Sequence, residues 1–144
     1  MKLFFDEDNG TGIPRSIRLL RAPGLTSLQY PGADPRLRWP RGTPDSDWLP
    51  WAGTTNHLVI SQNTRILETP HEFALIQAHA VRIVFIANGE TESWRVFRVI
   101  QAKWKWLLEQ DRRSGPLIWI LKLNGQVEDY AVPRGPRARR RGPV

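Results

Sequence analysis

The chain has no cysteine among its 144 residues. That absence excludes disulfides, thiol nucleophiles and Cys-ligated zinc, and it is compatible with a reducing compartment. Long apolar runs are missing too. Nothing approaches the ~20 residues needed to span a bilayer, so no membrane partner is expected. The first residues show no basic leader followed by an apolar stretch and a cleavage site, which points to a cytoplasmic protein. Histidine is scarce: His57, His71 and His79 are the only three, and their spacing matches no metal-ligand pattern. Structural roles are expected for all three. No internal repeat is visible.

Acids are absent from the last twelve residues, 133–144, which hold five arginines. With a net charge of +7, this leaves only +2 for residues 1–132. The tail is dense in Pro, Gly and Arg and lacks apolar periodicity, so disorder is expected. Such an arm is either a nucleic-acid contact or a solvated terminus. The chain thus divides into a folded domain over 1–132 and an Arg-rich tail over 133–144.

What is present argues for one globular domain of ordinary size: 40% apolar residues and 10% aromatics, seven of them tryptophan. Lys2–Asp6 reads as a strand. Ile13–Arg21 reads as a helix, with Thr11 or Gly12 near its cap and Pro14 in its first turn. Residues 25–30 could form a strand in an otherwise Pro-rich loop region. Asp45–Gly53 is a short helix, in which Pro50 requires a start within about four residues before it. His57–Ser61 is a strand buried on both faces, and Val81–Ile86 is a third strong strand. Glu72–His79 is a helix with Phe73, Leu75 and Ile76 inward. Thr91–Arg112 reads as the longest helix, with Trp94, Phe97, Ile100, Trp104 and Leu107 at core spacing. Leu117–Leu123, Asn124-Gly125 and Gln126–Val132 make a hairpin. Strands alternating with helices imply an α/β fold: a mostly parallel sheet with helices on both faces, closed by a C-terminal hairpin.

Two segments carry chemistry. An apolar strand ends at Asp6, followed by Glu7 and Asp8 and a loop with two glycines. In open α/β sheets ligands sit at that edge, and clustered carboxylates suit a hard cation such as Mg²⁺ or Mn²⁺. Solubilising a turn would place the same acids there. Asp6 itself reads as an exposed carboxylate at a strand end. Further on, Asp45 and Asp47 open a helix, where capping and the helix dipole also favour acids. The following strand runs out at Asn63. If it lies parallel to the first, Asp6, Asp45 and Asn63 emerge in one crevice. Glu68 or Glu72 could approach the same place.

The stretches Leu3-Phe-Phe-Asp6-Glu-Asp8-Asn-Gly-Thr-Gly-Ile-Pro14, Asp45-Ser-Asp-Trp-Leu-Pro-Trp-Ala-Gly53 and Leu58-Val-Ile-Ser-Gln-Asn63-Thr-Arg-Ile-Leu67 resemble the compact PIN-like domains, including the Mut7-C-type and VapC-type toxin branches. The resemblance implies a three-layer α/β/α sandwich and metal-dependent cleavage of RNA. It also implies a toxin held by a small antitoxin protein, with room for a homo-oligomer. Asp6 and Asp45 match family acids and would hold Mg²⁺ or Mn²⁺, with Asp8 and Asp47 as further candidates. Asn63 stands where the family usually has an aspartate. It would ligate through its amide oxygen or position the attacking water. Replacing carboxylate by amide removes one unit of ligand charge. Arg15 and Arg65 are candidate phosphate contacts, with a plain surface role as the alternative.

Two readings from other classes stay open. One is a PIN-like scaffold without catalysis that binds RNA or protein, which the missing acid at Asn63 favours. The other is a phosphate-accepting receiver. That reading needs an acceptor aspartate and a lysine at later strand ends, and Ala87-Asn88-Gly89 supplies neither.

Overall fold

The computed structural model describes residues 1–6, 10–32, 39–87 and 92–132. The Arg-rich tail, Glu7 and Asp8 lie outside these residues, as do the expectations about them. In chain order the elements are β1 (Lys2–Phe5), α1 (Gly12–Leu19), β2 (Ser27–Gln29), α2 (Asp45–Thr54), β3 (Leu58–Ser61), a 3₁₀ turn (Thr64–Glu68), α3 (Pro70–Ala78), β4 (Arg82–Ile86), α4 (Ser93–Ala102), α5 (Trp104–Gln110), β5 (Leu117–Leu121) and β6 (Val127–Tyr130).

The six strands form one sheet in the order β2-β1-β3-β4-β5-β6. All neighbours are parallel except β5 and β6, which are antiparallel. Successive strand residues face opposite sides, and the core divides accordingly. Leu3, Phe5, Leu58, Ile60, Val84, Ile86, Trp119 and Leu121 pack with residues of α1, α4 and α5. Phe4, Val59, Ile83, Phe85 and Ile118 pack with residues of α2, the 3₁₀ turn and α3. The result is the expected three-layer α/β/α sandwich. The chain leaves β1 for β2 on one side and later returns to β3 on the other. The β1/β3 boundary is therefore a topological switch point, where a crevice opens beyond the strands' C-terminal ends.

Close packing under α2 fixes that crevice. Trp48 is buried against Phe4, ring centroids 4.8 Å apart. Aromatic pairs of this kind add about 0.5–1.5 kcal/mol beyond the area they bury. At the far end of α2, a Cβ on Gly53 would stand 2.1 Å from the carbonyl oxygen of His79. Only glycine lets α2 approach α3 this closely. Pro50 sits five residues after the helix start, one further than expected. Asn124-Gly125 does mark the hairpin: Gly125 adopts φ 90°, its N–H donates to the carbonyl of Lys122, and Asn124 Oδ1 accepts from the N–H of Gln126.

The long C-terminal helix is corrected. It is two helices, α4 and α5, broken at Lys103 (φ −100°, ψ 10°). The break lets α5 be aimed by its own contacts: Trp104 Nε1 donates to the carbonyl of Pro23 at 2.8 Å, and Trp106 packs edge-on to Trp119. The expected core stripe holds for Ile100 and Leu107, which are buried, and for Phe97 and Trp104, which pack against the core; at Trp94 it is corrected. The residues that α4 buries are Val96, Val99 and Ile100, whereas Trp94 is 67% exposed. Two apolar stripes compete on this helix, and the branched one faces the sheet. On α3, Ile76 is buried but Phe73 and Leu75 are only half-buried.

Candidate functional site

Asp6 follows the last residue of β1, and its N–H donates to the carbonyl of Ile60 on β3. It shares the parity of Phe4, so it belongs to the face covered by α2 and α3. The carboxylate is buried, at 2% exposure, which corrects the expectation of an exposed strand end. Ser61, the last residue of β3, is fully buried and has the same parity. Its hydroxyl donates to Asp6 Oδ2. The Ser61 oxygen in turn accepts the backbone N–H of Asn63 at 3.0 Å. That second bond occupies an acceptor position on the hydroxyl, and its hydrogen goes to Asp6. A carboxylate leaving water needs such donors to keep its charge.

Asp45 reaches this network from α2. Pro44 is the N-cap residue and no side chain caps the helix, so Asp45 does not act as a cap. Its Oδ1 accepts from Trp48 Nε1 at 3.2 Å, one turn on, and its Oδ2 accepts from Asn63 Nδ2 at 3.3 Å. Asn63 Oδ1 accepts the N–H of Arg65 at 3.2 Å, opening the 3₁₀ turn. The backbone donor fixes the amide orientation: oxygen towards Arg65, nitrogen towards Asp45. Asn63 therefore meets Asp45 as a donor.

The structure thus joins Asp6, Ser61, Asn63 and Asp45 in one line of contacts across three segments. Glu72, in the first turn of α3, adds to the negative field. Its carboxyl is held above the usual range, first by burial and then by the charge of Asp45, with His71 opposing. Asp47 is exposed on α2, Glu68 is exposed on the 3₁₀ turn, and Asp8 lies outside the described residues. Arg15 and Arg65 are both exposed, Arg15 in the first turns of α1 and Arg65 beside Asn63. Ser61 escaped sequence reasoning. Strand parity was the available signal, because it places a hydroxyl beside any side chain that follows β1 on the same face.

His57 belongs to the opposite edge of the sheet. It is buried before β3, stacked on Trp51 with ring centroids 4.3 Å apart, and its Nδ1 bonds Thr55 Oγ1 at 2.7 Å. Burial lowers its pKa to about 4, helped by the nearby charges of Lys2 and Arg82 and opposed by a hydrogen bond to Thr55.

Oxygen donors from carboxylates match the chemistry of a hard divalent cation, which is often held by one or two carboxylates plus water and substrate phosphate. Asp6 and Asp45 fit that pattern. Asn63 Oδ1 is engaged by the Arg65 N–H and its amide nitrogen by Asp45. Among the described residues no three His, Cys, Asp or Glu side chains are grouped to hold a metal by themselves. No helix among them is long and apolar enough to cross a membrane.

A family model described as a PIN-like domain matches residues 1–88, more than half of the chain. The match runs from β1 through β4 and includes Asp6, Asp45, Ser61, Asn63 and Glu72. No curated protein and no solved structure matches the chain.

Proposed function

The chain belongs to the PIN-like domain family, and on that premise we propose that it is a divalent-metal-dependent ribonuclease whose site is the crevice at the β1/β3 switch point. Family membership supports nuclease chemistry on RNA at a general level. The observation that carries the specific reading is the convergence of Asp6 and Asp45, from two distant segments, through Ser61 and Asn63.

In this reading Asp6 and Asp45 hold Mg²⁺ or Mn²⁺. When bound, such an ion supplies Lewis-acid stabilisation of charge on the phosphate and a more acidic water. The chain does the rest. Ser61 and the Asn63 N–H orient Asp6, and Trp48 and Asn63 orient Asp45. Glu72 adds a third acid beside Asp45. Arg15 and Arg65, exposed near the crevice, take backbone phosphates, where guanidinium geometry allows bidentate contact. The five-arginine tail extends the same attraction, and the role in a toxin–antitoxin pair belongs to this proposal.

The test is RNA cleavage by purified protein with Mn²⁺, with and without chelator, for wild type and Asp6→Asn. Asparagine keeps an acceptor for Ser61, so the fold should survive while cleavage is lost. Equal cleavage by the two proteins removes Asp6 from the site. A second reading, a PIN-like module that binds without cleaving, is favoured by one observation: the Asn63 amide donates to Asp45 where the family usually has an acid. RNA binding with no metal-dependent cleavage at any Mn²⁺ concentration selects it.

A further inference from the structure

Trp94 is the one tryptophan among the exposed large apolar side chains of the described residues, at 67% exposure. It occupies the first turn of α4, which follows the C-terminal end of β4. That is the same sheet edge as Asp6 and Ser61. From β1 to β4 is two strand spacings, about 10 Å. Trp94 is not a loose ornament: its ring lies 6.2 Å from that of Phe97, one turn on, and Phe97 packs against the core under α1 and α4.

The charged residues of α4 and of α1 are all basic. Arg95 and Arg98 are exposed on α4, and Arg15 is exposed on α1, which packs against α4. Neither helix contains an acid. The nearest described acid is Glu92, the exposed N-cap residue of α4. An exposed indole braced from behind, on a helix whose charged residues are both arginines, is a combination that binds single-stranded nucleic acid, with bases stacking on the ring and phosphates meeting the charges.

We propose that the first turns of α4 form a base-stacking ledge for single-stranded RNA, with Trp94 as the platform, Phe97 as its brace and Arg15, Arg95 and Arg98 as phosphate contacts. The inference rests on the ribonuclease reading and adds a substrate-binding subsite outside the β1/β3 crevice. Bases inside a duplex are already paired and stacked, so the ledge selects unpaired strands. RNA leaving the crevice crosses the sheet edge from the α2/α3 face to the α1/α4 face and reaches the ledge.

The experiment is fluorescence anisotropy with a labelled single-stranded RNA oligonucleotide of mixed sequence, in chelator so that nothing is cut. Loss of one stacking platform should weaken binding by about 5- to 150-fold in Trp94→Ala. Trp94→Phe should restore most of it, because a smaller aromatic face still stacks. Arg95→Ala with Arg98→Ala should flatten the salt dependence of log K by about 0.7 per lost phosphate contact. The same sequence as a duplex should bind wild type and Trp94→Ala alike. Trp94 is exposed, so the variants should melt as wild type does, and a melt checks this. Unchanged single-strand affinity in Trp94→Ala overturns the ledge, as does an equal loss for duplex. If sedimentation shows that Trp94→Ala instead changes the oligomeric state with RNA affinity intact, the face is a protein contact and the ledge is wrong. The Asp6→Asn cleavage assay is independent, so a failed ledge and a failed nuclease are told apart.

Discussion

The two ends of the central strands carry polar clusters built on opposite plans. At the N-terminal end, Arg82 is buried at 2% exposure. Its guanidinium donates to the carbonyls of Asn56, Asp111 and Arg113 and to Asp111 Oδ1. One buried cation is enclosed by acceptors, and an acid stands beside it. At the C-terminal end, Asp6 accepts from Ser61, Asp45 accepts from Asn63 and Trp48, and Glu72 feels the charge of Asp45. The first cluster closes on itself and stabilises the fold. In the function proposed above, the second is where a cation would be held, so the contrast sets a structural cluster against a candidate functional one.

The largest effect expected from this contrast is at Arg82. Arg82→Ala removes a buried side chain together with its hydrogen bonds to three carbonyls and to Asp111, and it should lower stability by about 3–5 kcal/mol. Urea unfolding checks this. A loss below 1 kcal/mol would mean the N-terminal cluster is not structural. Next comes acid. The His57 pKa is lowered to about 4 in the fold against an unfolded value of 6.5. The unfolded chain therefore binds the extra proton first. His57 costs nothing above pH 6.5, and stability falls as pH drops from about 6.5 to 4 and then levels for this group. The full loss is on the order of 3 kcal/mol. His57→Gln should flatten the slope of stability against pH in that window; an unchanged slope assigns it to other groups.

The smallest effect is expected at Asn63. Asn63→Asp swaps the donor facing Asp45 for a third acceptor. Without metal the variant should lose about 1 kcal/mol through repulsion and the lost hydrogen bond. With saturating Mg²⁺ that loss should reverse, because binding to the folded form raises its stability. Thermal melts against Mg²⁺ for both proteins measure this. Identical metal dependence would show that position 63 stands outside the site.

Much of this was legible in the sequence, for identifiable reasons. Buried parallel strands read as apolar runs, so β1, β3 and β4 stand out. An acid directly after such a run lies at the sheet edge, which is how Asp6 becomes a candidate, and Asp45 becomes one because it opens the helix before the next strand. Parity then places Ser61 and Asp6 side by side, but only once β1 and β3 are known to be neighbours. Other features were not legible. Nothing in the run from Ala102 to Trp104 breaks a helix by propensity; tertiary contacts of Trp104 and Trp106 do it. Trp94 sits at core spacing with Phe97, and its exposure follows from a rival stripe, Val96, Val99 and Ile100, winning the sheet face. Arg82 at a strand start looks like a solvated charge, and its burial depends on carbonyls from loops 26 to 31 residues away.

The central claim is that the crowded carboxylates at the β1/β3 edge form a cation site anchored by Asp6. The most direct test is the melting temperature of wild type and Asp6→Asn over a Mn²⁺ titration at constant ionic strength. Wild type should rise with Mn²⁺, by about 2.7 kcal/mol of stability at a hundredfold excess over Kd, several degrees in Tm. Asp6→Asn should stay flat over the titration, whatever its starting Tm. A parallel rise in both proteins, or none in either, would contradict the claim.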